Sequence, residues 1–193
     1  MFVAALSLAL GALSPALPVA SVTSGAAVAV CFEPEEDCMA FAIDAIDRAE
    51  SQVLASAYTL TTGTGIVAAL VRAKQRGVDV KLIADRTTPC ERGSSIEPLA
   101  RAGVPVWIDQ GVRLAHAKAI VIDRKVVLTG SMNWTASAAR NSEDLNLISS
   151  EAVAAAYTAH WQSRLAASVP FTRREDFCRS HEMAGLKSEP PPR

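Results

Sequence analysis

Between Ala27 and Ile108 short apolar runs alternate with stretches of helical period, and this alternation narrows the possible folds more than any other feature. Residues 27–32 read as a strand. Residues 35–50 read as a helix, because Met39, Ile43 and Ile46 recur at helical spacing and acidic side chains fill the first turn, where the helix dipole favours them. The pattern continues with strand 52–58, helix 65–76 stopped by Gly77, strand 78–84, polar loop 85–93, helix 94–102 ended by Gly103, and strand 104–108. A glycine just past a helix supplies the left-handed residue that many C-termini use. Alternating strands and helices build a largely parallel sheet with helices on both faces. The expected fold class is therefore α/β, with a mixed, mostly parallel sheet. The 193 residues suffice for one domain with its own core; half are hydrophobic, and abundant alanine and valine suit close packing of helix on sheet.

The alternation breaks after residue 114. Residues 115–122 and 126–129 are apolar runs joined by Asp-Arg-Lys, which predicts a hairpin. Side chains two apart on a strand share a face, so His116 and Lys118 are expected to point into the same space. An imidazole can act as nucleophile or proton carrier near neutral pH, and an ammonium offsets charge on phosphoryl oxygens. A lysine on so apolar a strand would otherwise be a costly buried charge. Asp123 falls an odd seven residues from His116, which places it on the other face or in the turn, as a structural residue. Residues 132–138 are expected to begin a helix capped by Ser131, whose free amides can bind a phosphate oxygen. Asn133 can add a side-chain donor there. Glu143 can accept from the second ring nitrogen of His116 and so set its tautomer. Residues 144–149 read as a strand and 151–165 as an alanine-rich helix. From Pro170 the chain is polar and reads as a tail.

The pattern His-x-Lys-x4-Asp, then x6-Gly-Ser-x-Asn, resembles the motif of the phospholipase D superfamily. Seven positions stand at the family spacing: His116, Lys118, Asp123, Gly130, Ser131, Asn133 and Glu143. Residues 51–58, the segment Lys74-Gln-Arg-Gly-Val-Asp-Val-Lys-Leu-Ile and Gly103-Val-Pro-Val look like the small bacterial single-motif endonuclease of that superfamily, so the resemblance spans about residues 28–165. It implies a phosphodiesterase domain over 28–169 and a catalytic set of His116, Lys118, Asp123, Asn133 and Glu143. In the family the motif histidine forms a covalent phospho-histidine, the lysine and asparagine bind the phosphate, and an acidic residue orients the histidine. Ser131 would contact the phosphate or only cap its helix. No metal and no cofactor is implied. One histidine must attack phosphorus while another protonates the leaving oxygen. With a single motif per chain, this implies a homodimer in which each protomer gives one His116 to a shared site.

The net charge of −1 supplies no global basic field for a nucleic-acid partner, though a local groove can still be basic. Arg86, Arg92, Arg113 and Arg140 fall near the expected mouth of the site; scattered surface arginines are the plainer reading. Residues 1–27 carry no charge and read as a secretory signal with small-residue cleavage sites, despite the missing basic residue near Met1; a buried first helix is the alternative. Pro15 and Pro18 argue against a membrane span. Cys31, Cys38, Cys90 and Cys178 are even in number, as in an oxidising compartment, which points to a periplasmic or secreted protein. Three pairings are possible; Cys31 with Cys38 is local and leaves Cys90 with Cys178, and four free thiols is the other reading. His160 and His181 are expected at the surface, and Trp134 in the core. The sequence thus predicts a metal-independent phosphodiesterase, first an endonuclease on DNA or RNA. The second reading is a phospholipase D acting on phosphatidylcholine-like lipid, and the third is a non-catalytic nucleic-acid-binding or scaffold protein. A pure binder has no need of an imidazole nucleophile.

Overall fold

The computed structural model describes residues 25–183, with side chains as far as Arg179. The expected signal segment, apart from its last residues, and the side chain of His181 lie outside the described residues. Eight strands form one sheet: β1 (Ala27–Glu33), β2 (Gln52–Ala57), β3 (Asp79–Asp85), β4 (Val106–Asp109), β5 (Lys118–Ile122), β6 (Val126–Gly130), β7 (Glu143–Ser149) and β8 (Ser168–Pro170), in the order β1-β7-β6-β5-β2-β3-β4-β8. Five helices accompany them: α1 (Cys38–Asp47), α2 (Ile66–Gln75), α3 (Ile96–Arg101), α4 (Glu151–Ala166) and α5 (Arg174–Met183).

The sheet is mixed and flanked by helices on both faces, as expected, but parallel pairing is confined to β2–β3 and β3–β4. The other five pairings are antiparallel, which corrects the expected predominance of parallel strands. A parallel pair needs a crossover, and only α2 and α3 make crossovers between neighbouring strands. The β5–β6 hairpin and the returning β7 enter antiparallel, and β1 pairs with β7 at the edge instead of with β2.

One face of the sheet buries Ile46, Leu70, Leu82, Ile96 and Ile120 beneath α1, α2 and α3; the other buries Leu54, Ile83, Val121 and Val127 beneath Ala154 and Trp161 of α4. Alternate residues of β2 and β3 therefore serve both cores, which explains their near-continuous apolar runs. Helix α1 starts at Cys38, later than expected, because Asp37 caps it by accepting from the Ala40 amide at 2.8 Å. Gly77, at φ +92°, ends the chain's helical course after α2 as the glycine rule anticipates.

Two disulfides are present, Cys31–Cys38 and Cys90–Cys178. The second ties α5 to the loop after β3, and Phe177 packs 6.1 Å from Phe171, ring to ring. The polar stretch from Pro170 is therefore not all tail: β8 ends there and α5 follows, fixed by a covalent bond and an aromatic contact.

The strand directions bring several ends to one edge of the sheet. The C-termini of β2, β3 and β6 meet the N-termini of β5 and β7 there. That edge holds the candidate site.

Candidate active site

His116 lies just before β5, and the Tyr58 amide bonds to the Ala117 carbonyl beside it, extending the β2–β5 pairing toward the site. His116 and Lys118 share one space, as the two-residue spacing requires. The Lys118 Nζ is 2.8 Å from Nδ1 of His116 and donates to the His116 carbonyl at 2.9 Å. Tyr58, at the end of β2, packs its ring 4.2 Å from the imidazole and lies 5.0 Å below the ammonium. The phenol ring thus forms a wall for both groups and adds a cation–π contact.

Burial lowers the His116 pKa, the Lys118 charge lowers it further, and Asp85 opposes both. The net shift favours the neutral imidazole, the form that has a lone pair for attack. The Lys118 Nζ also lies 3.1 Å from Nε2, so it sits beside both ring nitrogens. Lys118 is buried, which lowers its own pKa, while the Glu143 carboxylate pulls the other way.

Ser131, Asn133 and Glu143 come to the same edge, by a different route from the one expected. Residues 132–138 do not form a helix; the chain is irregular to a single 3-10 turn at Ala138–Arg140. Met132 and Trp134 are both buried, and Trp134 donates to the Ser56 carbonyl at 3.3 Å. Two apolar side chains at a spacing of two hold the segment extended, which excludes a helix and its amide cluster. Ser131 caps nothing: its hydroxyl donates to Glu143 Oε2 and accepts from the Asp144 amide at 3.0 Å. Gly130 is required just before it, because a Cβ there would collide with the Asp144 carbonyl. Asn133 Oδ1 is buried without a hydrogen-bond partner among the described residues.

The expected hydrogen bond from His116 to Glu143 is not formed within the chain. Glu143 is occupied by Ser131 and by the Asn141 amide at 3.0 Å. The carboxylate acting on His116 is Asp85, fully buried at the end of β3, which accepts from the Ala115 and Thr87 amides. Sequence reading passed over both Asp85 and Tyr58. The available signal was position: each ends a strand of the parallel pair, and open α/β sheets place ligands beyond the carboxyl ends of such strands.

Asp123 stands apart, and its place in the catalytic set is corrected. It follows β5 at the opposite edge of the sheet, at φ +52°, and accepts from the amides of Glu50, Ser51 and Gln52 and from the Ser51 hydroxyl at 2.7–2.9 Å. Burial would raise its pKa, but these bonds hold it below the ordinary value. Asp123 fastens the β5–β6 turn to the start of β2, as its odd spacing suggested.

A cleft of about 630 Å³ opens at the site, lined by His116, Lys118, Thr129, Ser131, Tyr157 and His160 among others. His160 is exposed, as expected, yet it belongs to this cleft. Arg86, Arg92 and Arg113 lie in loops and Arg140 ends the 3-10 turn, all at this end of the sheet, and none makes an ion pair with a described residue. Among the described residues no group of three or more histidine, cysteine or acidic side chains is arranged to hold a metal ion.

Comparison with known proteins places the chain in a family. Residues 42–165 match the family model described as cardiolipin synthase, PLD-like domain. The chain belongs to the phospholipase D superfamily. It is 39% identical over 142 residues to a phospholipase D of Rickettsia felis, covering 73% of this chain and 70% of that one. It superposes on the phospholipase D family member Nuc of Salmonella typhimurium with a TM-score of 0.72 and 33% identity, over 76% of this chain and 99% of Nuc. A shorter match, 42% over 74 residues, links it to the mouse mitochondrial cardiolipin hydrolase, covering 38% of this chain and 34% of that one. The superfamily assignment makes the chain a phosphodiesterase.

Proposed function

We propose that the protein is a metal-independent endonuclease that cleaves DNA or RNA through a phospho-histidine on His116. The observation that carries the phosphodiester chemistry is the His116 imidazole held 2.8 Å from the buried side-chain nitrogen of Lys118. A ring nitrogen of His116 attacks phosphorus, forming a P–N bond while the P–O bond to the leaving alkoxide breaks. An acid protonates that oxygen, and water then attacks phosphorus and releases the imidazole. Lys118 and Asn133 offset the charge on the phosphoryl oxygens. Ser131 lines the cleft and keeps Glu143 in place. The nucleic-acid reading is supported by the four arginines without an ion pair at this end of the sheet, which suit a polyanion longer than one phosphate, and by the resemblance to the single-motif endonuclease.

The acid is assigned to a second copy of the chain, whose His116 would share the cleft in a homodimer. In support, β1 is an edge strand that exposes Val28, Val30 and Phe32, on the sheet face that carries Thr129 of the cleft. Export to the periplasm or the medium is proposed from the uncharged N-terminal segment, and two disulfides accord with it. The second reading, a phospholipase D, is favoured by the names of the Rickettsia and mouse relatives.

One assay tests the assignment. The mature protein is incubated in EDTA with plasmid, single-stranded DNA, RNA, and vesicles of phosphatidylcholine or cardiolipin. Nucleic-acid cleavage that persists in EDTA is the expected result. Hydrolysis of lipid alone would establish the second reading, and activity that needs an added divalent metal would overturn the metal-free mechanism.

A further inference from the structure

We propose that His160 recognises a second phosphate of the substrate, one unit away from the phosphate attacked by His116. The inference rests on the phosphodiesterase reading and narrows its substrate class to molecules that carry two neighbouring phosphodiesters. The cleft that holds His116 and Lys118 does not end at them. It runs on to α4, where Tyr157 and His160 form the far wall. The cleft is open to solvent and has a volume of about 630 Å³. A single phosphate held at His116 and Lys118 would occupy one end of this cleft and leave the His160 end open.

The far wall is rigid. Trp161, the next residue, is buried and donates to the Ala55 carbonyl of β2 at 2.9 Å. Arg164, one turn on, makes two bonds of 2.7 Å to the buried carboxylate of Asp109. These anchors, to β2 and to β4, fix the turn of α4 that carries His160. They also dispose of the carboxylate that would otherwise compete. Asp109 is close enough for its pKa to respond to His160, but its charge is already matched by Arg164. His160 makes no hydrogen bond or ion pair with a described residue, so its imidazole is free to donate to an anion in the cleft.

A nucleic-acid strand offers such a second phosphate, and so does a lipid with two phosphate groups. Bis(p-nitrophenyl) phosphate and phosphatidylcholine each offer only one. The test compares wild type, His160→Gln and His160→Lys on bis(p-nitrophenyl) phosphate, a single-stranded DNA oligonucleotide, and cardiolipin and phosphatidylcholine vesicles. On the two-phosphate substrate that wild type cleaves, His160→Gln should lower kcat/KM about tenfold more than on the one-phosphate diester, mostly through KM. His160→Lys, which supplies an N–H donor at the same place, should recover most of that difference. The oligonucleotide and cardiolipin arms then say which source supplies the second phosphate. An equal loss on one- and two-phosphate substrates, or no recovery with lysine in a protein of unchanged circular dichroism, would overturn the proposal. Inactivity of the wild type on every substrate would instead strike the phosphodiesterase reading, and this inference with it.

Discussion

At the scale of single residues, two pKa shifts set the expected pH dependence. His116 must be neutral to attack, and its pKa is lowered, so it remains competent further into acid than an ordinary histidine of about 6.5. Lys118 must be charged, and its pKa is also lowered, so its charge is lost below the ordinary lysine value of about 10.4. The acid limb of kcat/KM against pH should therefore lie on the acid side of the free histidine value, while the alkaline limb falls where the general acid, His116 of the partner subunit in the proposed dimer, loses its proton. An acid limb at the ordinary histidine value would show that the attacking His116 does not govern the rate. His116→Ala should remove the covalent route, raising the barrier by about 4 kcal/mol or more with the fold intact; trapping labelled phosphate on wild type, and none on the variant, checks the assignment. Asp123→Ala belongs to stability, not chemistry. It strips four hydrogen bonds from the start of β2, at a cost of about 2–3 kcal/mol in urea unfolding. Because the folded pKa is depressed, that contribution is present above the unfolded carboxylate pKa and fades as pH falls through the folded one. If Asp123→Ala lost activity while keeping full stability, its placement as a structural residue would be wrong.

At the scale of elements, the segment between β6 and β7 decides whether the site exists. Gly130 allows β6 to pass close against Asp144, and Ser131 then ties the segment to Glu143, while Met132 and Trp134 anchor it in the core. Gly130→Ala would force these strands apart, because backbone and not a flexible side chain stands in the way. The expected outcome is a loss of about 1–3 kcal/mol of stability together with most of the activity, since Asn133 and Glu143 hang on the same segment. Thermal unfolding and turnover measured on one preparation check both halves. Strand and helix positions from β1 to β4 follow the sequence pattern to within a few residues, since each element carries its own period and its own stop. The helix expected after Ser131 failed for a tertiary reason: a serine N-cap is a local signal, and burial of Met132 and Trp134 in a core made by distant strands outweighs it.

At the scale of the whole molecule, the Cys90–Cys178 bond closes an 88-residue separation and docks α5 against the loop that follows Asp85. Replacing both cysteines with serine should lower stability by about 2–4 kcal/mol. Alkylation of native exported protein should find no free thiol among the four cysteines. The shared cleft is also a property of the assembly. Mixing His116→Ala protomers into wild type, with subunit exchange demonstrated, should depress activity below the wild-type fraction. Activity in simple proportion to that fraction would mean that each chain acts alone.

The sequence by itself determined the α/β class, the hairpin, the nearness of His116 to Lys118 and the superfamily, because each depends on residues close together in the chain. The two-residue period of a strand suffices to aim two side chains together, and an odd spacing suffices to set Asp123 apart. The tertiary structure alone decided that most strand pairs run antiparallel, that Glu143 serves Ser131 instead of His116, that the Tyr58 ring packs on the imidazole, that the Asp85 charge bears on its pKa, and that His160 lines the same cleft. These residues lie 58, 31 and 44 positions from His116 in sequence. Only the strand order brings them to one edge of the sheet, and strand order follows from long-range burial, which no local period records.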